Sequence, residues 1–204
     1  MLASINFPFI VGYESHFQTR TELCLVMEYV EGSDLFYQLH DNHGYFEEEA
    51  VRFYLSEILL GLEYLHNLGL IYRDLKLENI LIDKTGHVKI VDLGFTRVLG
   101  RGEKCRTFCG TVHYLAPEIL QGKEYNKAVD WWAFGILAYE VSLLSIKIPL
   151  KTYLQSPQLR AGDTPFLSSE LDVKLSAEEI CGKIDQVLCW NCFMLGLPFY
   201  FYIC

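Results

Sequence analysis

The chain has 204 residues, of which 51% are hydrophobic and 21% are charged. This composition excludes a disordered or fibrous protein and suits a single globular domain. The 17 Lys and Arg residues against 26 Asp and Glu residues give a net charge of −9. Nucleic acid is therefore not expected as the main partner, because no basic stripe can displace phosphate counterions. An acidic chain is better suited to a basic partner, such as a peptide rich in Lys and Arg.

The cysteines and the N-terminus indicate the cellular compartment. The number of cysteines, seven, is odd, and the first nine residues lack the basic region of a signal peptide. These features predict a reducing setting, with the cytoplasm as the expected location and the nucleus as a second one. A membrane location is not expected.

The C-terminal stretch 187–204 is almost entirely apolar, with Asn191 as its one clearly polar side chain. About eighteen apolar residues are the lower limit for a membrane span, so a tail anchor is one interpretation. Pro198 near the middle and the lack of flanking basic residues favour the other interpretation, a non-native or read-through C-terminus.

The first elements predicted along the chain are two antiparallel strands, residues 10–13 and 23–27. A polar turn at 18–21 separates them. A short helix follows, with Ser33 as the predicted N-terminal cap and Gly44 as the residue that ends it.

The clearest helix begins at Glu47, in an acidic stretch that the helix dipole favours, and ends at Gly69. Its apolar residues follow a period of 3.6. The period then changes, and two short strands at 80–82 and 87–91 are predicted to form a hairpin around a turn at 83–86.

Residues 94–114 show little periodicity and are predicted to form a long loop. Loops of this length in a compact domain are usually functional. A second apolar helix is predicted from about Lys127 to Tyr139, with Asn126 as its cap.

A short segment between the first long helix and the hairpin contains Asp74, Lys76 and Asn79, and Asp92 follows at the end of the hairpin. Phosphoryl transfer needs such a set, because one carboxylate must orient the attacking hydroxyl and one cation must neutralise the moving phosphoryl group. A carboxylate and an amide oxygen are also suitable ligands for Mg²⁺. The alternative is a turn with a surface salt bridge, which is common for an isolated Asp-x-Lys.

Three motifs carry a family resemblance: residues 72–76, residues 110–118 and residues 126–132. With them the chain resembles eukaryotic serine/threonine protein kinases of the AGC group, and most nearly the cyclic-AMP-dependent kinases. The resemblance covers roughly Phe7 to Glu140. It implies an α+β, protein-kinase-like fold that comprises mostly the helical lobe and two strands of the small lobe.

The resemblance also implies a division of the chain. Residues 1–32 would form part of the small lobe and the hinge, and residues 33–144 the helical lobe with its catalytic and activation loops. Residues 145–204 would be an insertion and a divergent tail.

The family implies ATP and Mg²⁺ as cofactors. Asp74 matches the catalytic base, and Lys76 matches the lysine that neutralises the phosphate. Asn79 and Asp92 match the magnesium ligands. Asp130 matches the buried carboxylate that holds the backbone of the catalytic loop.

The nucleotide cleft is implied by a second set of positions. Met27 would lie at the back of the adenine pocket, and Leu81 would form its floor or simply pack in the core. The other cofactor-binding positions are Glu28, Val30, Asp34, Glu78, Asn79 and Asp92.

The loop 94–114 resembles an activation loop. Thr107 matches the threonine whose phosphorylation orders that loop, with Arg73 and Arg97 as the cations that would pair with the phosphate. The alternative is an exposed, unmodified threonine.

The expected partner is a protein or peptide substrate, with a regulatory subunit as a further candidate. Acidic positions would select arginines ahead of the target hydroxyl, because carboxylates bind Arg bidentately; an ordinary solvated acidic surface is the alternative. An apolar slot would receive the residue after the hydroxyl. The two sets of substrate-binding positions are Asp34, Glu78 and Glu140 for the arginines, and Phe108, Val112 and Leu115 for the slot.

The sequence also departs from the family pattern. It contains no Gly-rich phosphate loop ahead of Phe7 and no Val-Ala-Ile-Lys lysine, and the match fades after Glu140. Leu93 replaces the usual Phe after Asp92, and Val112-His113 replaces the usual Pro-Glu. We therefore expect a kinase truncated at both ends, which would be weakly active or inactive. The alternatives are a non-catalytic kinase-like protein that binds regulatory subunits or basic peptides, and a mis-predicted gene model.

Overall fold

A computed structural model describes residues 2–41, 46–100 and 102–145. The predicted helix end at Gly44 and almost all of the 145–204 tail lie outside the described residues. The strands, β1 to β7, span Tyr13–Gln18, Leu23–Met27, Gly32–Asp34, Leu70–Ile71, Ile80–Asp83, Val88–Ile90 and Arg97–Val98. The helices, α1 to α4, span Leu35–Asp41, Glu48–Asn67, Pro117–Leu120 and Ala128–Ser145. Single 3₁₀ turns cover Leu2–Ser4, Leu77–Asn79, Leu93–Phe95 and Val112–Tyr114.

Strands β1 and β2 form the antiparallel pair that the sequence predicts, joined by the polar turn. The predicted bounds of the first strand, residues 10–13, are wrong at both ends, because β1 spans Tyr13–Gln18. Ile10 instead forms a parallel bridge with Ile90, and the Val11 N–H donates to the Ile90 carbonyl at 2.9 Å. Ile10 and Val11 are both buried there. This position removes more of their apolar surface from water than a place in the largely exposed β1–β2 hairpin would, so the bridge to Ile90 is favoured.

The start of α1 also differs from the prediction. Asp34, not Ser33, caps the helix, since Oδ1 of Asp34 accepts from the N–H of Tyr37 at 2.8 Å. The hydroxyl of Ser33 instead accepts from the side-chain amide of Gln38. Asp34 is the last residue of β3, directly before the helix, so its carboxylate faces the first free N–H groups.

Helices α2 and α4 pack against each other and contribute a large share of the core, as their apolar patterns predict. Helix α2 turns its regularly spaced apolar side chains inward, and Asn126 caps α4 by accepting from the Ala128 N–H at 2.9 Å. Helix α2 also approaches β6 closely. A Cβ on Gly61 would lie 2.7 Å from Cδ1 of Ile90, so a larger residue there would force the end of the Ile90 side chain to move.

The β5–β6 hairpin is confirmed, with Ile80 opposite Ile90 and Leu81 opposite Lys89. Strand β3 adds to the other edge of β5. Asn79 precedes β5 and Asp92 lies two residues after β6, so the open end of the hairpin places these two residues near each other.

The segment 94–114 is more structured than a long loop. Its strand β7 pairs with β4, so that Ile71 lies opposite Arg97 and Leu70 opposite Val98. A second apolar cluster lies beneath the rest of the segment and includes Ile71, Cys105, Leu115, Ala116, Ile119, Tyr125 and Val129. Within the described ranges, no helix is long and apolar enough to cross a membrane.

The packing of α2 gives a stability prediction. Leu62 is completely buried whereas Leu60, on the same helix, is 43% exposed. Leu62→Ala should lower the free energy of unfolding by about 2–5 kcal/mol, because it leaves a cavity between α2 and the core. The matched variant Leu60→Ala should cost well under about 1 kcal/mol. Urea denaturation measures both, and equal losses would contradict the packing described here.

Candidate active site

The site is built on the carboxylate of Asp130, in the first turn of α4. Its two oxygens accept from the backbone N–H groups of Tyr72 and Arg73 at 2.9 and 2.8 Å. The ring of His66 lies 2.7 Å from the same carboxylate. Asp130 is almost completely buried, so these partners offset the cost of removing its charge from water. The contact between Asp130 and the catalytic loop expected from the resemblance is therefore present.

The catalytic loop adopts an uncommon backbone conformation at Arg73, with φ at 71°. Such conformations cost energy and persist only where the surroundings enforce them. Gly110 lies against this point, and a Cβ there would be only 2.6 Å from the Arg73 carbonyl oxygen. The close approach of the two backbones brings the segment after Gly110 onto the catalytic loop.

Asp74 is buried at the centre of a small polar cluster. Its Oδ2 accepts from the side-chain amide of Asn79 at 2.9 Å and lies 3.0 Å from Nζ of Lys76. Its Oδ1 accepts from the hydroxyl of Thr111 at 2.8 Å, and Lys76 also donates to that hydroxyl at 3.1 Å. The structure thus brings together Asp74, Lys76 and Asn79 and adds Thr111.

Asp92 lies beside this cluster without a direct bond to it. Its φ is 53°, and its Oδ1 accepts from the N–H of Gly94 at 3.1 Å. The preceding residue, Val91, donates its N–H to the Asn79 carbonyl at 2.9 Å and accepts from the Tyr72 hydroxyl at 2.6 Å. These bonds fix the backbone from which the exposed Asp92 carboxylate projects.

Of the positions expected to line the nucleotide cleft, Met27, Glu28 and Val30 lie at the end of β2 and just after it, whereas Leu81 lies in β5. Met27, Val30 and Leu81 are half-buried. The carboxylate of Glu28 accepts from the Gly12 N–H at 3.0 Å and pairs with Lys89 at 2.9 Å. The hydrogen bond from Lys89, helped by the one from Gly12, holds the pKa of Glu28 below its ordinary value. Glu28, the residue directly after β2, is therefore tied to strand β6, which leads to Asp92.

Two of the three acidic substrate positions interact. Glu140 accepts a short hydrogen bond from the hydroxyl of Tyr114, which itself accepts from the Leu77 N–H at 3.4 Å. Burial raises the pKa of Glu140 to about 7, and the charge of Glu78 acts in the same direction. Asp34 caps α1, which packs against the 3₁₀ turn that contains Glu78.

The expected phosphorylation site is only partly assembled. Thr107 is exposed, and its carbonyl accepts from the Tyr125 hydroxyl at 2.7 Å. Arg73 reaches the same tyrosine, because its Nη1 lies 3.2 Å from that hydroxyl. Arg97 instead pairs with Glu103 at 3.6 Å.

The expected apolar slot is divided between surface and core. Phe108 and Val112 are exposed, whereas Leu115 is buried in the second apolar cluster. Leu115 therefore lies beneath the surface that the other two residues present.

Sequence reasoning assigned no role to several residues that organise the site. In the sequence, Thr111 is only one residue of a matched motif, and His66 and Lys89 are only members of a predicted helix and a predicted strand. Tyr125 precedes the predicted cap residue Asn126 and gave no separate signal. Each acts through a partner far away in sequence, so spacing alone does not reveal it.

Comparison with known proteins identifies the family. The model of the protein kinase domain matches residues 1–166. The chain is 46% identical to protein kinase C zeta type of Oryctolagus cuniculus over 160 residues. This alignment covers 78% of the chain and 27% of the relative. The chain is 48% identical over 142 residues to the RAC serine/threonine-protein kinase of Drosophila melanogaster, covering 69% and 23%. It is 40% identical over 199 residues to ribosomal protein S6 kinase alpha-2 of Homo sapiens, covering 92% and 27%.

The chain belongs to the protein kinase domain family, and its relatives place it among the serine/threonine kinases of the AGC group. The α+β, kinase-like fold expected from the sequence is confirmed. The nearer resemblance to the cyclic-AMP-dependent kinases stays a prediction. The chain spans about a quarter of the length of the relatives named above.

The raised pKa of Glu140 gives a prediction for stability against pH. Its folded value of about 7 lies above its ordinary value of 4.5, so the folded chain holds a proton that the unfolded chain releases. The resulting stabilisation is complete below pH 4.5 and is lost as the pH rises through 7. The free energy of unfolding should therefore decrease between pH 5 and pH 8, and Glu140→Gln should make this decrease smaller.

The control for that measurement is Glu63→Gln, which removes a carboxylate from the exposed face of α2. The hydrogen bond from His87 to Glu57 raises the pKa of His87 and adds a slope of the same sign, so the informative quantity is the difference between the wild type and Glu140→Gln. Identical slopes in those two proteins would contradict the burial of Glu140.

Proposed function

We propose that the chain carries the catalytic machinery of an ATP-dependent serine/threonine protein kinase, which transfers the γ-phosphoryl group to a Ser or Thr hydroxyl. The observation that carries the proposal is the buried cluster of Asp74, Lys76, Asn79 and Thr111. Its parts match the needs of phosphoryl transfer, which depends on positioning and on stabilisation of charge.

Asp74 is the acceptor for the attacking hydroxyl. An ionised carboxylate offers about four lone-pair positions. Three donors occupy positions on Asp74: Lys76 and Asn79 at Oδ2, and Thr111 at Oδ1. One lone-pair position at Oδ1 therefore stays available for the substrate hydroxyl. The other three bonds fix the direction in which this position points.

The two proposed metal ligands suit Mg²⁺. The side-chain amide nitrogen of Asn79 donates to Asp74. The amide oxygen of Asn79, its Oδ1, therefore faces away from the Asp74 carboxylate. Asp92 uses one oxygen for the Gly94 N–H and projects from an exposed position. Mg²⁺ prefers one or two such protein oxygens together with phosphate oxygens, and when bound it neutralises charge on the β- and γ-phosphates.

The nucleotide and substrate positions extend from this centre. We assign Met27, Glu28, Val30 and Leu81 to the adenine cleft and Asp34, Glu78 and Glu140 to arginines of a basic peptide. Phe108, Val112 and Leu115 would contact the residue after the target hydroxyl, and Thr107 would be phosphorylated and pair with Arg73 and Arg97. A regulatory subunit is a further candidate partner.

Phosphate transfer to an Arg-Arg-x-Ser peptide tests the proposal. We expect no detectable transfer by this chain alone, because its sequence contains neither a Gly-rich loop nor the Val-Ala-Ile-Lys lysine. A chimera in which one of the relatives supplies both the small lobe ahead of Phe7 and the part of the helical lobe after Glu140 should be active. In that chimera Asp74→Asn should lower kcat by about 10²–10⁴-fold, and Asp92→Ala by about 10²–10³-fold.

The control in the chimera is Glu63→Gln, which should leave kcat unchanged. Turnover that survives both Asp74→Asn and Asp92→Ala would refute the assignment of the centre. A chimera that binds the peptide but neither Mg·ATP nor its analogues would favour the non-catalytic binding protein instead.

The proposed preference for basic peptides has its own test. Glu78 is exposed beside Glu140, so Glu78→Gln should remove one partner of a substrate arginine. In the chimera, kcat/KM for an Arg-Arg-x-Ser peptide should fall by about tenfold. The matched Ala-Ala-x-Ser peptide should be phosphorylated equally by both proteins. Equal losses for the two peptides would contradict a role in selecting arginine.

A further inference from the structure

The loop that carries Thr107 is tied to the segment before α4 by contacts between the chain's own residues. Cys105 and Tyr125 form an antiparallel bridge in which each N–H donates to the other's carbonyl, at 2.8 and 2.9 Å. This bridge attaches the loop to the segment directly before α4. Backbone order of this kind costs conformational entropy, so specific contacts must offset it.

The side chain of Tyr125 adds a second attachment. Its ring is buried in the second apolar cluster, and its hydroxyl donates to the Thr107 carbonyl at 2.7 Å. The same hydroxyl accepts from Nη1 of Arg73 at 3.2 Å. One phenol therefore connects the expected phosphorylation site with an arginine of the catalytic loop.

The neighbouring Glu124 holds the basic side chains of the loop. One oxygen of its carboxylate, Oε1, accepts from both Nη2 and Nε of Arg106, at 3.0 and 3.1 Å, in charge-assisted hydrogen bonds. The carboxylate also lies 3.9 Å from Nζ of Lys104. Glu124 and Tyr125 thus hold residues 104–107 through the backbone bridge, the Tyr125 hydroxyl and the Glu124 carboxylate.

We propose that Glu124 and Tyr125, together the loop clamp, are positioning residues that hold residues 104–107 near Arg73 while Thr107 is unphosphorylated. The inference rests on the proposed function only in treating this stretch as an activation loop. Its consequence is that a phosphate on Thr107 would find Arg73 already nearby. Phosphorylation then has to order less of the loop, which is the usual benefit of a preorganised site.

Limited trypsin digestion of the full, unphosphorylated chain tests the loop clamp. Trypsin must cut after Lys104 or Arg106, and the rate reports how often this stretch opens. Tyr125→Phe removes one hydroxyl and should accelerate these two cuts by about three- to tenfold. Glu124→Gln removes the ion pairs and should accelerate them by about two- to fivefold.

Two matched variants serve as controls for these rates. Tyr37→Phe removes an exposed hydroxyl from α1, and Glu48→Gln breaks an exposed pair with Arg52 on α2. Neither should change the rate of cleavage at the two sites, which mass spectrometry of the fragments identifies. Glu124 is partly exposed, so Glu124→Gln decides the question if Tyr125→Phe fails to fold.

A rescue separates positioning from a general loss of structure. Thr107→Glu added to Tyr125→Phe places a carboxylate near Arg73 and should slow cleavage after Lys104 back toward the wild-type rate, whereas Thr107→Gln in the same background should not. Wild-type cleavage rates in both clamp variants would overturn the loop clamp, and failure of the rescue would overturn the part played by Arg73. The assay uses no ATP, so its failure is distinguishable from failure of the proposed kinase activity.

Discussion

One buried charge organises the catalytic loop. The carboxylate of Asp130 is held by two backbone N–H groups and by His66, and its burial would cost several kcal/mol without such partners. Because the donors include consecutive residues, Tyr72 and Arg73, the carboxylate fixes the backbone on both sides of the peptide bond that joins them. The uncommon φ of Arg73 is maintained by this contact, and the direction of Asp74 follows from it.

Arg73 transmits this order to three other segments. Its backbone N–H binds Asp130, its Nε donates to the Phe95 carbonyl at 2.7 Å, and its Nη1 reaches Tyr125. The residue therefore joins the start of α4, the turn after Asp92 and, through the Tyr125 hydroxyl, the loop around Thr107. Under the proposed function, these are the segments that must be in register for metal binding and substrate binding together.

The sequence predicts the parts whose order is local. Helix α2, the β5–β6 hairpin and the Asn126 cap of α4 follow from periodicity and turn chemistry, and Asp74, Lys76 and Asn79 follow from their motif. Strands β3, β4 and β7 have two or three residues each, and their order depends on tertiary partners rather than on pattern. For the same reason the partners of Ile10 and the hydroxyl of Thr111 were not predictable, since both act across long sequence separations.

The ion pair at the centre is asymmetric, and this asymmetry decides what the proposed site can attract. The side chain of Asp74 is 2% exposed, whereas that of Lys76 is 22% exposed. The negative charge therefore lies behind the positive one, and an approaching phosphate meets the ammonium first. Since Lys76 is held by both Asp74 and the Thr111 hydroxyl, its ammonium needs little reorganisation to meet a developing charge. A contact that stabilises the resting cluster thus also prepares it for the charge that phosphoryl transfer would create.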